Sequence, residues 1–301
     1  MMYTGELAAL SAAGLWASAT FMFAAAGRQL SPIQLNISKG IIASILLGGC
    51  AVALERIPEE IWTMQGLLLG LSGILGITIG DTAFFGALSR IGPRRTLLIE
   101  SLTPPLTGLI ALVAIQEELT LAAWCGVLVT VAGVTSVVLE RSQPGELQIA
   151  PDVFRVGLIL AVIASISQAT GVVMAHIVLI DHALDPLWAA FIRLMAALAG
   201  LLIAGSFMPK HGTAALGRKI SQGTLGRKLW VMVFWATVMG TFLGLWLQQI
   251  SLKYTSAAVA QTLLSTSPLF ALAIAKVRGE ELSRRAILGT FVALVGIYLL
   301  T

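Results

Sequence analysis

Residues 104–133 read PPLTGLIALVAIQEELTLAAWCGVLVTVAG, and residues 267–296 read SPLFALAIAKVRGEELSRRAILGTFVALVG. The second stretch repeats the first at a spacing of 163, and the matching pairs include Pro105 and Pro268, Glu118 and Glu281, Gly126 and Gly289, and Gly133 and Gly296. Upstream, Pro32 recurs as Pro186 and Lys39 recurs as Arg193, both at a spacing of 154. The chain is therefore an internal duplication, which we divide into residues 1–142 and residues 150–301.

Ten apolar stretches make up most of the chain. With 57% hydrophobic and 11% charged residues, the composition is that of a polytopic membrane protein. Each stretch has the roughly 17 to 25 residues that cross a hydrocarbon layer as a helix. They cover about residues 5–26, 33–54, 65–88, 95–115, 121–139, 154–178, 186–207, 229–250, 256–275 and 285–301. The sequence thus predicts an all-α integral membrane protein with ten transmembrane helices.

The number of spans fixes how the two halves relate. Each half contains five spans, which is an odd number, so the second half must lie inverted in the bilayer relative to the first. Inverted repeats of this kind are typical of secondary transporters, whose substrate site lies near the bilayer midplane between the halves. We therefore predict two inverted five-helix repeats with a site between them.

The basic residues indicate an orientation. Fifteen of the 19 Lys and Arg residues lie in odd-numbered connections between spans, and the even-numbered connections carry only Arg56 and Lys253. We call the two membrane surfaces the odd side and the even side after these connections. Because cytoplasmic loops are enriched in Lys and Arg, the odd side is predicted to be cytoplasmic and both termini to lie outside.

Three charged residues fall within spans of the first half: Lys39, Asp81 and Glu100. Each lies about 8 to 10 Å from the odd side at a rise of roughly 1.5 Å per residue. A charge at such a depth costs roughly 2.5 to 3.5 kcal/mol on insertion scales, so the three are candidates for a substrate or coupling-ion pathway, with Glu100 the leading one. The alternative is that Lys39 snorkels to the interface, Asp81 pairs with it, and the group only sets helix register.

Arg193 is the charged residue within the spans of the second half, where no matching carboxylate is present and His176, Gln248 and Gln249 are the plausible polar neighbours. Its guanidinium could bind a substrate carboxylate in a bidentate manner, or it could satisfy nearby backbone carbonyls. Trp16, in the middle of the first span, is either a packing residue or an aromatic wall for an organic substrate.

Prolines interrupt the fourth span of each half, at Pro104 and Pro105 and again at Pro268. Proline removes a helical hydrogen bond, so the carbonyls of Glu100 and Ser101 are predicted to be free. Gln261 and Ser265 on the ninth span and Gln168 on the sixth add neutral hydrogen-bonding groups, which favours a polar cavity between spans 4 and 9. The commoner fate of such groups is interhelical hydrogen bonding.

The two five-span halves, the proline in each fourth span, the acidic pair that follows it and the later glycines resemble the EamA domains of the drug/metabolite transporter superfamily. The resemblance implies ten helices around a central cavity and transport of small metabolites across the bacterial inner membrane, with amino acid export as a frequent role. Within that superfamily the chain is most similar to the aromatic amino acid exporters. It departs from the small multidrug relatives, which carry a glutamate in the middle of the first helix, since Glu6 lies at the end of that span.

The acidic pairs at 117/118 and 280/281 lie at span ends, where we interpret them as surface carboxylates that cap the next helix. The chain contains no P-loop, HExxH motif or nucleophile elbow, so an enzyme is not predicted, and neither is a cofactor or a metal. The expected partners are a small-molecule substrate and the lipid bilayer, without nucleic acid, and two complete halves in one chain predict a functional monomer. The first alternative is an exporter of other metabolites or of cationic drugs, and a channel is the second.

Overall fold

The computed structural model describes residues 3–54, 57–140, 150–181, 184–277 and 284–300, and within these ranges every regular element is helical. The α-helices are α1 Thr4–Ala26, α2 Pro32–Leu54, α3 Met64–Gly73, α4 Thr82–Glu100, α5 Thr103–Ile115, α6 Leu121–Glu140, α7 Pro151–Asp181, α8 Pro186–Ser206, α9 Thr213–Ser221, α10 Arg227–Thr237, α11 Gly244–Tyr254, α12 Ala257–Leu264, α13 Ser267–Val277 and α14 Arg284–Leu300. π-Helical segments join α3 to α4 over Ile74–Asp81 and α10 to α11 over Val238–Leu243.

Each of the ten predicted spans overlaps one helix or a pair of consecutive helices. Among the described residues, six helical stretches are long and apolar enough to cross a membrane, namely Thr4–Ala26, Pro32–Leu54, Met64–Gly92, Pro151–Ile180, Pro186–Ser206 and Arg227–Tyr254. Spans 4 and 9 are each broken into two shorter helices, and spans 5 and 10 are short apolar helices. The all-α membrane fold is confirmed, whereas the count of ten crossings stays a prediction.

The turn between spans 3 and 4 depends on one glycine. Gly92 has a φ of 78° and a ψ of 166° inside the segment that runs from Thr82 to Glu100. A side chain strongly disfavours this backbone conformation, so glycine is the residue that permits it. The predicted spans 65–88 and 95–115 therefore separate at Gly92 without an extended loop.

The two π-helical segments occupy equivalent places in the two halves. Ile77 and Gly240 differ by 163, which is the spacing of the sequence repeat, and each lies inside a π-helical segment. A π-helical turn disturbs the regular i to i−4 hydrogen-bonding pattern, and in both segments a side chain from another helix bonds the backbone. Asn36 Nδ2 donates to the Ile77 carbonyl at 2.9 Å, and Trp16 Nε1 donates to the Gly240 carbonyl at 2.6 Å.

The repeated glycines pack the last span of one half against the last span of the other. A Cβ on Gly133 would lie 2.4 Å from the Ala293 nitrogen, and a Cβ on Gly296 would lie 2.4 Å from the Thr130 nitrogen. Thr130 and Ala293 also differ by 163, so the contact between α6 and α14 is the same on both sides. Small residues at such crossings let helix backbones approach closely, which explains the later glycines of the repeat.

One apolar core joins the even-side ends of several helices. It includes Leu47 from α2, Leu69 from α3, Leu179 from α7, Leu187 from α8 and Leu252 from α11, all 1% exposed or less. Its counterpart toward the odd side includes Phe23, Phe85 and Leu229. An open apolar groove of about 570 Å³ also lies toward the even side, between α3 and α8, and none of the described residues that line it is charged.

Candidate functional site

A cavity of about 180 Å³ lies between the two halves, on the odd side of the bundle's middle. We call it the central cavity. Its polar lining includes Lys39, Asp81, Glu100, Gln168 and Thr241. Its aromatic wall consists of Trp16, Phe21, Phe23, Phe84 and Phe85. The structure therefore brings together Lys39, Asp81, Glu100, Gln168 and Trp16, five of the residues that the sequence selected.

Lys39 and Asp81 form an ion pair in the wall of the cavity. The Lys39 Nζ donates to Asp81 Oδ2, and its side chain is 6% exposed, compared with 26% for that of Asp81. The ammonium also lies 5.1 Å from the ring centroid of Phe85 and 5.9 Å from that of Phe23, within the range of cation–π attraction. Lys39 is thus held inside the bundle by a carboxylate and two rings and does not snorkel to the interface.

Glu100 is the last residue of α4 and lies where the fourth span breaks. Leu102 donates its N–H to the Ile99 carbonyl at 3.0 Å, and α5 begins at Thr103. The side chain borders the central cavity and a smaller recess of about 30 Å³ that it shares with Gln261 and Ser265. Glu100 is therefore a carboxylate in the cavity wall beside the Lys39–Asp81 pair.

Arg193 lies beside the same cluster, which the sequence did not indicate. It borders a recess of about 30 Å³ together with Lys39, Asp81, Gln168 and Gln248. The side chain is buried, and neither Nε nor Nη1 has a hydrogen-bond partner among the described residues. Gln248, one of its expected neighbours, borders the same recess, while the proximity of Asp81 follows from the packing of α8 against the π-helical segment.

Two glycines allow α7 and α8 to pack closely against α3 and the π-helical segment that follows it. A Cβ on Gly76 would lie 3.3 Å from Gln168 Oε1 and 3.4 Å from Arg193 Nη2. A Cβ on Gly171 would lie 2.8 Å from the Ser72 carbonyl oxygen. The missing side chains therefore leave room for the amide and the guanidinium to border the recess next to Asp81.

Trp16 combines the two roles that the sequence left open. The indole borders the central cavity and both recesses, so it forms part of an aromatic wall. Its Nε1 also donates to the Gly240 carbonyl, which fixes the ring against the π-helical segment of the second half. A Cβ on Gly244 would lie 2.4 Å from the same nitrogen.

The prolines lie at the start of new helices and not inside continuous ones. Pro104 and Pro105 fall in the first turn of α5, and Pro268 is the second residue of α13. Proline is tolerated in a first turn, where its missing N–H would have no helical partner. Pro268 borders the central cavity together with Ser267, whereas Pro104 and Pro105 do not appear in its lining. Their expected role as breaks in spans 4 and 9 thus agrees with the geometry, while a hinge motion stays a prediction.

Some residues of the site were not selected from the sequence. Thr241 borders the cavity from the π-helical segment, and Asn36 donates 2.9 Å bonds both to the Ile77 carbonyl and to Thr82 Oγ1. An asparagine within a predicted span was the available signal for Asn36. Thr241 carried no such signal, since Ser and Thr are common in membrane helices.

Glu117 is not the surface carboxylate that the sequence suggested. Its Oε1 lies 3.6 Å from Nε2 of the buried His176, and its Oε2 has no hydrogen-bond partner among the described residues. Glu118 next to it is exposed, and Glu280 and Glu281 lie outside the described residues. Within those residues no three metal-ligating side chains come together.

Comparison with known proteins agrees with this architecture. The EamA-like transporter family matches residues 3–139 and again residues 155–301. An uncharacterized transporter from Archaeoglobus fulgidus is 26% identical over 98% of this chain and 96% of its own. A crystal structure with a TM-score of 0.79 covers 100% of this chain and 97% of that chain at 17% identity, which shows a shared fold. The chain therefore belongs to the EamA-like transporter family of the drug/metabolite transporter superfamily and is a multi-pass membrane transporter of small molecules.

Proposed function

We propose that this protein carries a small zwitterionic metabolite by alternating access, with amino acids, including aromatic ones, as the leading substrates. The observation that supports this most directly is the pairing of a carboxylate and a guanidinium around adjoining cavities. Glu100 borders the central cavity, and Arg193 borders the recess that shares Trp16, Lys39 and Asp81 with it. The ammonium group of such a substrate would meet the Glu100 carboxylate, and its carboxylate group would meet the Arg193 guanidinium.

The charge balance favours these two residues over their neighbours. Lys39 and Asp81 already neutralise each other in an ion pair. Arg193 keeps two nitrogens without a hydrogen-bond partner among the described residues, and a buried guanidinium can bind a carboxylate through two parallel hydrogen bonds. Glu100 is then the carboxylate available for a substrate ammonium or for a coupling proton.

The aromatic wall supports an organic side chain on the substrate. Trp16, Phe21 and Phe84 border the same cavity as the charged residues. Aromatic walls bind apolar and aromatic groups through burial and ring stacking. A cavity of about 180 Å³ matches a small metabolite and is much smaller than the 300 to 1,000 Å³ typical of drug-sized ligand pockets.

The orientation and location follow from the basic residues and the superfamily. The odd side carries most of the Lys and Arg residues, so we place it in the cytoplasm of a bacterial cell, with both termini outside the inner membrane. The central cavity then lies toward the cytoplasmic side, which suits an exporter in its loading state. A C-terminal reporter active only in the cytoplasm would overturn this orientation.

Counterflow in liposomes tests the proposal. We expect saturable, trans-stimulated exchange of labelled amino acids, which a channel cannot produce. Glu100→Gln should abolish or strongly reduce exchange, while Glu118→Gln, which removes an exposed carboxylate, should leave it unchanged. Absence of exchange for every amino acid would exclude this substrate class, and flux without trans-stimulation would favour a channel.

A further inference from the structure

We infer that Glu117 and His176 form a proton-holding latch that closes the even end of the transport pathway. This inference rests on the alternating access proposed above, but it concerns a site that lies apart from the central cavity. His176 is near the even end of α7, and Glu117 lies in the connection between α5 and α6. The pair therefore joins the first half of the chain to the second near the even end of the bundle.

The hydrogen bonding of His176 determines where its protons lie. Its Nδ1 is 2.6 Å from the Leu252 carbonyl oxygen on α11, and a carbonyl can only accept, so Nδ1 carries a hydrogen. In a neutral imidazole the other nitrogen, Nε2, then presents a lone pair to Glu117 Oε1 at 3.6 Å. Nε2 has no hydrogen-bond partner among the described residues, and two acceptors facing each other repel, so the contact becomes attractive only when Nε2 carries a proton.

No other described charge can replace that proton. Lys253 on α11 donates to the Leu184 carbonyl at 2.9 Å, and Asp185 accepts the Leu187 N–H at 2.7 Å as the cap of α8. Arg193 lies deeper, in the recess beside Asp81. The helices α3, α5 and α12, which also pack on α7, contain no charged residue. Arg90 on α4 donates to the Gly86 carbonyl at 2.9 Å, and Asp81 in the π-helical segment pairs with Lys39.

Beneath the latch lies a run of buried polar groups without hydrogen-bond partners among the described residues. It includes Gln248 Nε2, both polar atoms of the Gln249 amide and Ser251 Oγ, on the buried face of α11. Gln248 also borders the recess that contains Arg193, so this run extends from the candidate substrate site toward His176. Buried polar groups normally have partners, and we assign this run to the even-side path, where water and substrate satisfy it once the latch opens.

Thiol accessibility tests the latch without any knowledge of the substrate. Ser251→Cys is a nearly isosteric reporter, placed in a chain whose two native cysteines are replaced by Cys50→Ala and Cys125→Ala. Membrane-impermeant methanethiosulfonate reagent is applied to vesicles of both orientations. We expect Glu117→Ala to raise the rate of labelling from the even side about tenfold, which corresponds to about 1.4 kcal/mol, and Glu118→Ala to leave it unchanged.

The proton is tested with Glu117→Gln, whose amide can donate to His176 Nε2 and close the latch without a titrating group. The readout is the labelling rate of the chain with native Glu117 divided by that of Glu117→Gln at each pH, because the reporter thiol itself reacts faster as pH rises. We expect this ratio to increase with pH and the same ratio for Glu118→Gln to stay constant. Equal rates for Glu117→Ala and Glu118→Ala, or a ratio independent of pH, would overturn the latch. Because no substrate is added, failure to find an amino acid substrate would leave this result intact.

Discussion

Gly73 lies directly against the backbone of Arg193, so that a Cβ on the glycine would fall 2.0 Å from the Arg193 carbonyl oxygen. The contact joins α3, which leads into the π-helical segment with Asp81, to α8, which carries the buried guanidinium. The position of Arg193 beside Asp81 thus depends on the missing side chain of a residue in the other half.

Gly73→Ala should therefore displace α8 and reduce both stability and transport. A methyl group forced against backbone in a packed interior costs about 1 to 3 kcal/mol, and the neighbouring atoms are main chain that cannot rotate away. Gly49→Ala is the matched control, since a Cβ at Gly49 meets nothing within 4 Å. Thermal unfolding in detergent and counterflow in liposomes would measure the two effects. Equal unfolding temperatures for the two variants would contradict the packing role.

The Lys39–Asp81 ion pair predicts a non-additive response. Asp81→Asn alone leaves the buried Lys39 ammonium without its carboxylate, which costs about 3 to 5 kcal/mol, whereas Lys39→Met leaves Asp81 beside the Arg193 guanidinium. Asp81→Asn should therefore destabilise the protein more than Lys39→Met, and adding Lys39→Met to Asp81→Asn should recover part of the loss. Unfolding of the four proteins in a double-mutant cycle would measure the coupling free energy. If the effects of the single substitutions simply add, the two groups do not stabilise each other.

The sequence placed Lys39, Asp81 and Glu100 at one level, because their positions can be counted from one side, and it offered the Lys39–Asp81 pair as one of two alternatives. It could not predict that Arg193 joins them, since depth along a span carries no information about which helices become neighbours. The sequence did not predict the π-helical segments, for a related reason. Apart from Asp81, their sequences are mostly apolar and contain glycine like the rest of the spans, and the partners Asn36 and Trp16 are far away in the chain. The position of Glu117 depends on how the connection between α5 and α6 folds toward α7. The spacing of apolar residues along the sequence gives no information about that.

Trp16→Phe should distinguish the role of Trp16 as an aromatic wall from the role of its hydrogen bond. The ring is largely retained, but the Gly240 carbonyl loses its donor, and an unsatisfied buried acceptor costs about 1 to 3 kcal/mol. We expect a lower unfolding temperature and slower turnover, because the indole supports the π-helical segment of the second half. Trp235→Phe provides the control, since Trp235 is 54% exposed on α10. If the Trp16→Phe variant turned over at the rate of the wild type, Trp16 would serve only as a hydrophobic wall of the cavity.

Arg193→Gln is expected to discriminate between substrates that do and do not carry a carboxylate. If the guanidinium binds that group, the apparent Michaelis constant for an amino acid should rise at least about tenfold, which is the range of a lost charge-assisted hydrogen bond. The corresponding decarboxylated amine should show little change. Competition of each compound against a labelled substrate, with wild type and Arg193→Gln side by side, measures both values. A similar loss for the acid and the amine would show that Arg193 supports the fold of the cavity and does not bind the substrate carboxylate, and it would leave Glu100 as the only charged residue in our assignment that contacts the substrate.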